Sequence, residues 1–274
     1  MSISPARAES IAPGVHRVLA PNASMMTVPG TNTWLLGDPP VAVLDPGPAL
    51  PAHVDAILAA APRLETIFVT HTHRDHSPAV RALKAITGAR VIGRGAPRDG
   101  LQDDTFVADV EPARDELFAI GGLRLRAIDT PGYASNHVCW LLEGARLMFS
   151  GDHILEGVTP VILVPDGDMG AYLEALARLK GYAPRAIAPG HGRVMGEPVK
   201  VIDALVAHRL ARERRVRAAL VARERSTLDE LLVPVYADVP ADRHMLARMT
   251  LEAHLIKLVR DGHAVRDGEQ WRAI

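Results

Sequence analysis

The stretch THTHRDHS, residues 70–77, places His71, His73, Asp75 and His76 within six positions. Imidazole nitrogens and carboxylate oxygens are the usual ligands of zinc. A His-X-His-X-Asp-His run on a tight loop can turn side chains to two sides, enough to serve two metals. A polar surface loop is the ordinary alternative. Three later segments, TPGYASNH (130–137), SGDH (150–153) and APGHG (188–192), each add one ligand-type residue, His137, Asp152 and His191. Each of these alone reads as a loop residue. Taken in order, each directly after an expected strand or in the loop that follows one, they read as a metal site assembled from strand ends.

Such loops need strands behind them. TIFVT (66–70) reads as a short buried strand, and SPAVRALKAITG (77–88) as a helix with Ser77 as N-cap, Pro78 in its first turn and Gly88 as its stop. Strands are expected at 32–37 and 41–47, joined by Gly37, Asp38, Pro39 and Pro40, with a helix over 51–61. More strands follow at 90–94, 115–120, 123–130, 137–143 and 146–151, with Gly121-Gly122 and Gly144-Ala145 as hairpin turns. Residues 168–181 read as a helix, 186–192 as a strand entering a loop, and 198 to about 225 as a long arginine-rich helix. The tail changes character. A Ser/Thr-capped helix, a second helix with apolar spacing at Met245, Met249, Leu255 and Leu258, and a hairpin around Asp267-Gly268 resemble a small winged-helix module.

The formal net charge of −1 and the 4% aromatic content of this 274-residue chain predict no global pull toward nucleic acid or an anionic membrane. No apolar run approaches the roughly 20 residues of a membrane span. The N-terminal MSISPARAESIAPGVHRVLA is broken by Pro5, Arg7, Glu9 and Pro13, so a signal peptide is not expected and a cytoplasmic location is. Cys139, the single cysteine, allows no intramolecular disulfide. It falls inside an expected strand and reads as a small core residue, and no GxSxG elbow supplies a serine nucleophile. His16, His53, His208, His244, His254 and His263 have no partner motif and read as ordinary residues.

HTHRDH, TPG with His137, SGD and PGHG, in this order, resemble the metallo-β-lactamase fold superfamily over about residues 15–192. GTNTWLLG (30–37), LDPG (44–47) and the winged-helix-like tail look like its beta-lactamase-like protein 2 group, whose best-known animal members are single-strand endoribonucleases. The resemblance implies an αββα metallo-β-lactamase sandwich over residues 1–199 and a C-terminal linker helix and winged-helix-like module over 200–274. It implies two Zn2+ ions, with iron and manganese in similar sites of relatives. His71, His73 and His137 would hold one ion, Asp75, His76 and His191 the second, and Asp152 would bridge both. Many relatives carry histidine where this chain has Tyr133, and His153 is variable among them; neither position is a family metal ligand.

Two zinc ions about 3.5–4 Å apart can hold a shared hydroxide that attacks the substrate, with Asp75 and Asp152 as the catalytic carboxylates. Few residues separate Asp152 from His191, and no long arm is present, so the messenger- and transfer-RNA-processing branches are not expected. A small acyl compound, a thioester, ester or lactone, is the expected substrate, as in glyoxalase II and lactonase relatives. Single-stranded RNA is the alternative, since HRLARERRVR (208–217) is locally basic, although a solvated helix face explains it as well. Arg74 and Arg193 are candidates for meeting an anionic substrate, and Trp34 is either a pocket wall or a core residue. A third reading makes the tail a DNA-reading module of a metal-dependent regulator, but Arg243, Arg248, Lys257 and Arg260 are a thin basic face. The tail is expected to cover one side of the catalytic domain or to mediate homodimer formation.

Overall fold

Two short strands, β1 (Glu9–Ala12) and β2 (Val15–Leu19), open a six-stranded sheet that sequence pattern alone begins only at residue 32. They are followed by β3 (Asn32–Gly37), β4 (Pro40–Leu44), β5 (Thr66–Phe68) and β6 (Arg90–Ile92). Strands β1 to β4 pair antiparallel, whereas β4, β5 and β6 run parallel. A second six-stranded sheet is built from β7 (Leu117–Ile120), β8 (Leu123–Asp129), β9 (Val138–Leu142), β10 (Leu147–Gly151), β11 (Ala186–Pro189) and β12 (Met195–Gly196). Only β10 and β11 are parallel in it. The computed structural model describes residues 8–274; residues 1–7, the start of the segment read above as lacking a signal peptide, lie outside the described residues.

Period-two alternation decides which side chain faces which layer. Trp34, Leu36, Ala42, Leu44, Phe68 and Ile92 of the first sheet share one core with Leu125, Ala127, Trp140, Phe149 and Ala188 of the second. The intervening Leu35, Val43, Ile67 and Val91 face the other way, onto Val54 and Ile57 of α1 (Pro51–Ala60) and Val80 and Leu83 of α2 (Ala79–Thr87). Trp34, Trp140 and Phe149 are fully buried, each worth about 2–3 kcal/mol of transfer free energy. Helix α2 ends as expected at Gly88, which takes the left-handed φ of +71°. Its start differs: Pro78 occupies the cap position, and the Ser77 hydroxyl donates instead to Asp103 at 2.8 Å.

The chain divides into two compact units. The first takes residues 1–130, 136–158 and 182–198, and the second residues 131–135, 159–181 and 199–274. The boundary expected at 199/200 thus lies beside Pro198, but 131–135 and 159–181 group with the tail. Polar contacts accompany that grouping: the buried Arg209 lies 5.3 Å over the Tyr172 ring and donates to the Pro160 carbonyl, and at the surface Arg260 pairs with Asp168.

The second unit contains α3 (Met169–Leu179), capped by Asp168, which accepts from Gly170 N at 2.8 Å and Ala171 N at 3.1 Å. It continues through α4 (Pro198–Val221), β13 (Ser226–Thr227), α5 (Leu228–Val235), α6 (His244–Arg260) and the hairpin β14 (Ala264–Asp267) and β15 (Gln270–Ala273). Thr227 and Glu230 form a reciprocal capping box on α5. The three strands pair in the order β13-β15-β14, and Trp271 joins Leu231, Val235, Leu251, Leu255 and Leu258 in the core. Half of the face expected on α6 is buried: Leu255 and Leu258 lie in the core with Ala247, Leu251 and His254, whereas Met245 and Met249 are 69% and 37% exposed. No helix among the described residues is long and apolar enough to cross a membrane. Two mixed sheets with helices and a C-terminal winged helix are the fold class expected from sequence.

Candidate metal centre

Each sequence-singled ligand sits where a strand of the first unit ends or begins. His71, His73, Asp75 and His76 follow β5, Asp152 follows β10, His191 follows β11, and His137 immediately precedes β9. Because β10 runs antiparallel to β9 and parallel to β11, with Gly151 level with Pro189, the termini beside His137, Asp152 and His191 lie at one end of the second sheet. The seven side chains form two adjoining groups. Asp75, His76, Asp152 and His191 offer ligand atoms that all lie within 4.8 Å of one another. His71, His73 and His137 form the other group: His71 Nε2 is 3.1 Å from His73 Nδ1, and the His71 and His137 rings stack at 5.2 Å. The groups meet at His71 and His76, whose ring centroids are 4.2 Å apart.

Polar partners behind the rings decide which nitrogen faces inward. Thr70 Oγ1 holds His71 Nδ1 at 2.9 Å, Thr130 Oγ1 holds His137 Nδ1 at 2.8 Å, Asp45 Oδ2 holds His76 Nδ1 at 3.0 Å, and the Gly30 carbonyl holds His191 Nδ1 at 3.1 Å. Four imidazoles thereby turn Nε2 toward the shared space. Asp45 is central to this arrangement. Its buried carboxylate also accepts from Thr70 N at 2.7 Å and Thr70 Oγ1 at 2.8 Å, and its φ of +50° is a left-handed conformation uncommon for a non-glycine residue. Asp45 carried only family likeness in the sequence, within LDPG. Its partner His76 stands 31 residues away, so no local spacing signals the contact. Thr70 and Thr130 lie inside the quoted motifs, each shortly before a ligand, and that adjacency is the signal that could have found them.

Glycine clears the floor of the site at two positions. At Gly151, with φ +46°, a Cβ would come within 2.5 Å of Thr70 Oγ1 and 2.7 Å of His137 Nε2. At Gly190 it would come within 2.4 Å of Asp152 Oδ1. These glycines explain why the SGD and PGHG motifs carry glycine where they do.

Electrostatics separate the two groups. Burial, then neighbouring imidazoles, pushes His71 and His137 well below the ordinary histidine range, and burial lowers His73 too. Burial also acts on His76 and His191, but there the carboxylates outweigh it. Asp75, Asp152 and Asp45 push His76 well up, and Asp152 and Asp75 push His191 up to about 10. The carboxylates answer in kind: Asp152 is held well down by His191 and His76 against its burial, and Asp75 is lowered by the same two partners. His76 Nε2 is buried 3.3 Å from Asp152 Oδ1 and 3.6 Å from Asp75 Oδ2, neither contact having hydrogen-bond geometry. A divalent cation fits this donor set. It would satisfy lone pairs aimed at one point from buried nitrogens and carboxylates of the right chemistry.

Three further residues find their places. Trp34 is 1% exposed and packs at a tilt against Phe149, ring centroids 5.5 Å apart, so it belongs to the core and not to a pocket wall. Cys139 is buried in β9, its sulfur 3.4 Å from Thr130 Oγ1. Arg193 is neutralised by Glu156, with contacts of 2.7 and 2.6 Å.

Residues 26–191 match the family model of the metallo-beta-lactamase superfamily, and residues 227–271 match that of the beta-lactamase associated winged helix domain. Among curated proteins, the chain is 31% identical to a beta-lactamase-like protein 2 homolog of Drosophila melanogaster, over 90% of this chain and 88% of that one. It is 30% identical to an atrochrysone carboxyl ACP thioesterase of Aspergillus fumigatus, over 85% of this chain and 76% of that one. Among solved structures, a metallo-beta-lactamase family protein of Thermus thermophilus superposes with a TM-score of 0.81 at 21% identity, covering 97% of this chain and all of that one. At that identity the likeness speaks for the fold.

Proposed function

This chain belongs to the metallo-beta-lactamase superfamily, and we propose that it is a dinuclear zinc hydrolase acting on a small acyl compound, a thioester, ester or lactone. The observation that carries the reading is the pair of adjoining ligand groups, His71, His73 and His137 beside Asp75, His76 and His191, with the Asp152 carboxylate reaching His76 and His191 at 3.3 and 3.4 Å. In this reading the first three hold one ion, the second three the other, and Asp152 serves both. When bound, such a pair supplies Lewis acidity and brings the pKa of water toward about 7, so no side-chain nucleophile is required.

The chain's own residues supply the positioning. Thr70, Thr130, Asp45 and Gly30 orient the imidazoles from behind, which removes the reorganisation a loose site would need. Asp75, with 27% of its side chain exposed against 8% for Asp152, is the carboxylate that faces incoming substrate. It would orient the attacking water, while Asp152 would keep the two groups in register.

Two observations favour an acyl bond over a phosphodiester. Relatives at about 30% identity include proteins named as thioesterases. The basic stretch HRLARERRVR, taken above as a solvated face or an RNA contact, instead buries Arg209 and Arg212, and Asp238 pairs with both Arg212 and Arg215. Of its arginines only Arg214, Arg215 and Arg217 stay exposed, so the stretch presents less cationic surface than its composition suggests. Metal analysis of the purified protein, coupled to a panel of a glutathione thioester, an acyl-homoserine lactone, a phosphodiester reporter and single-stranded RNA, tests the reading. Hydrolysis of a thioester or lactone with two zinc ions per chain is expected; cleavage of RNA alone would reverse the assignment.

A further inference from the structure

Arg74 stands between two of the proposed ligands, His73 and Asp75, and its guanidinium is tethered. Nε donates to the Gln102 carbonyl and Nη2 to the Gly100 carbonyl, each at 3.3 Å. Both acceptors are neutral. Two carboxylates of the same segment are engaged elsewhere: Asp99 accepts from Leu101 N at 2.8 Å and Gln102 Nε2 at 3.0 Å, and Asp103 from Ser77 Oγ at 2.8 Å and Thr105 N at 3.0 Å. Among the described residues no acid forms an ion pair with Arg74. Its neighbours around the strand ends differ, because Glu156 neutralises Arg193 and Asp129 pairs with both Arg94 and Arg114. A backbone bridge between His73 and Gln102 sets the residue whose carbonyl receives Arg74 Nε beside His73.

A guanidinium that is oriented by carbonyls yet keeps its charge uncompensated is built to receive an anion. Its remaining N–H donors form a planar fork that matches a carboxylate or phosphate, and holding it in place beforehand reduces the entropy lost on binding. We propose that Arg74 determines specificity by receiving an oxyanion carried by the substrate, so that the compound hydrolysed is an anionic acyl compound. This rests on the acyl-hydrolase reading above and names its substrate class.

Calorimetric titration of the full-length, zinc-loaded protein with three unreactive thioethers tests it. S-propylpantetheine is neutral, S-propyl-4′-phosphopantetheine adds a phosphate on the thiol side, and S-(3-carboxypropyl)pantetheine adds a carboxylate on the acyl side. At least one anionic ligand should bind wild type about tenfold or more tighter than the neutral one, an advantage that shrinks as salt is raised. In Arg74→Met the advantage should fall below about threefold, and Arg74→Lys, which keeps the charge and loses the fork, should restore part of it. Arg193→Met, already neutralised in the native protein, should keep the whole advantage. Zinc content measured on the same samples controls for folding. The ligand that responds tells which side of the scissile bond bears the charge. No gain for either anion in wild type, or a gain that survives in Arg74→Met, overturns the proposal. Because binding is read without turnover, a lack of thioester hydrolysis in the panel above would remove the acyl reading separately from this result.

Discussion

Charge is buried in both units of this protein, but to opposite ends. In the second unit, the buried Arg212 donates to the Val235 carbonyl and to Asp238 at 2.8 Å, and it stacks on Tyr236 at 4.1 Å. Every favourable partner is already present, and the arrangement is complete as folded. In the first unit, His71 Nε2 faces His73 Nδ1 at 3.1 Å, and Asp75 and Asp152 crowd the Nε2 atoms of His76 and His191. His71, His73 and His137 bring three buried imidazoles together, each held below the ordinary histidine range, an arrangement that folding alone does not reward. The contrast teaches how to separate structure from function among buried polar residues: complementary pairs hold the fold, and convergent lone pairs wait for a cation.

If that distinction is right, changes in the two units should fail in different ways. The largest effect is expected for Asp152→Ala, which removes the carboxylate shared by both groups. Turnover of the best substrate should fall by on the order of 1,000-fold or more and zinc content should drop, with secondary structure by circular dichroism unchanged. Unaltered rates would remove the bridging role.

Asp45→Asn reaches the centre indirectly. It replaces an all-acceptor group facing Thr70 N, Thr70 Oγ1 and His76 Nδ1 by one that can accept at only one oxygen. Zinc affinity, read by competition with a chromophoric chelator, should weaken about 10- to 100-fold. An affinity equal to wild type would show that His76 orients itself.

Arg212→Ala should do the reverse. Losing its hydrogen bonds and stacking should destabilise the protein by about 2 kcal/mol in urea unfolding while zinc content stays at the wild-type level. A loss of metal with no loss of stability would dissolve the comparison.

The smallest expected effect concerns a buried histidine of the first unit that is not a ligand. Burial holds His53 down to about 4; its Nε2 is satisfied by Thr33 Oγ1 at 2.9 Å, and Nδ1 has no hydrogen-bond acceptor for a second proton. Between pH 6.5 and 4 the unfolded chain therefore binds a proton that the folded chain refuses, so stability falls as pH drops through that window and levels off below it. From pH 7 to pH 5 this group should cost about 2 kcal/mol. His53→Gln should flatten the metal-free protein's stability profile by that amount, and identical slopes for the two proteins would refute the assignment.

How much of this was legible beforehand depended on distance along the chain. The seven ligand-type residues stand out because each falls in a short motif next to a strand, and strand ends are where a sheet exposes side chains to one another. Asp45 and Gly30 carried family likeness but not their contacts, because their partners His76 and His191 are 31 and 161 residues away and only folding brings them together. Neither of the first two strands shows strict alternation: VHRVL of β2 sets His16 beside Arg17 and Val18 beside Leu19, and β1 is four residues long with half of them exposed. On α6, Met245 and Met249 fit helical spacing but sit one face away from Leu251, Leu255 and Leu258. Spacing alone could not rank two apolar stripes on the same helix. Arginine at 209 and 212 was misplaced at the surface because composition cannot show that a tyrosine ring and a carbonyl stand ready to receive each guanidinium.

Zinc stoichiometry in wild type and in the single variants His137→Ala and His191→Ala bears most directly on the centre, since each variant removes a ligand from only one of the two groups. Two ions per chain in wild type, falling to about one in each variant, is the predicted result. A single ion in wild type, or full occupancy in both variants, would contradict a centre built from two adjoining ligand sets.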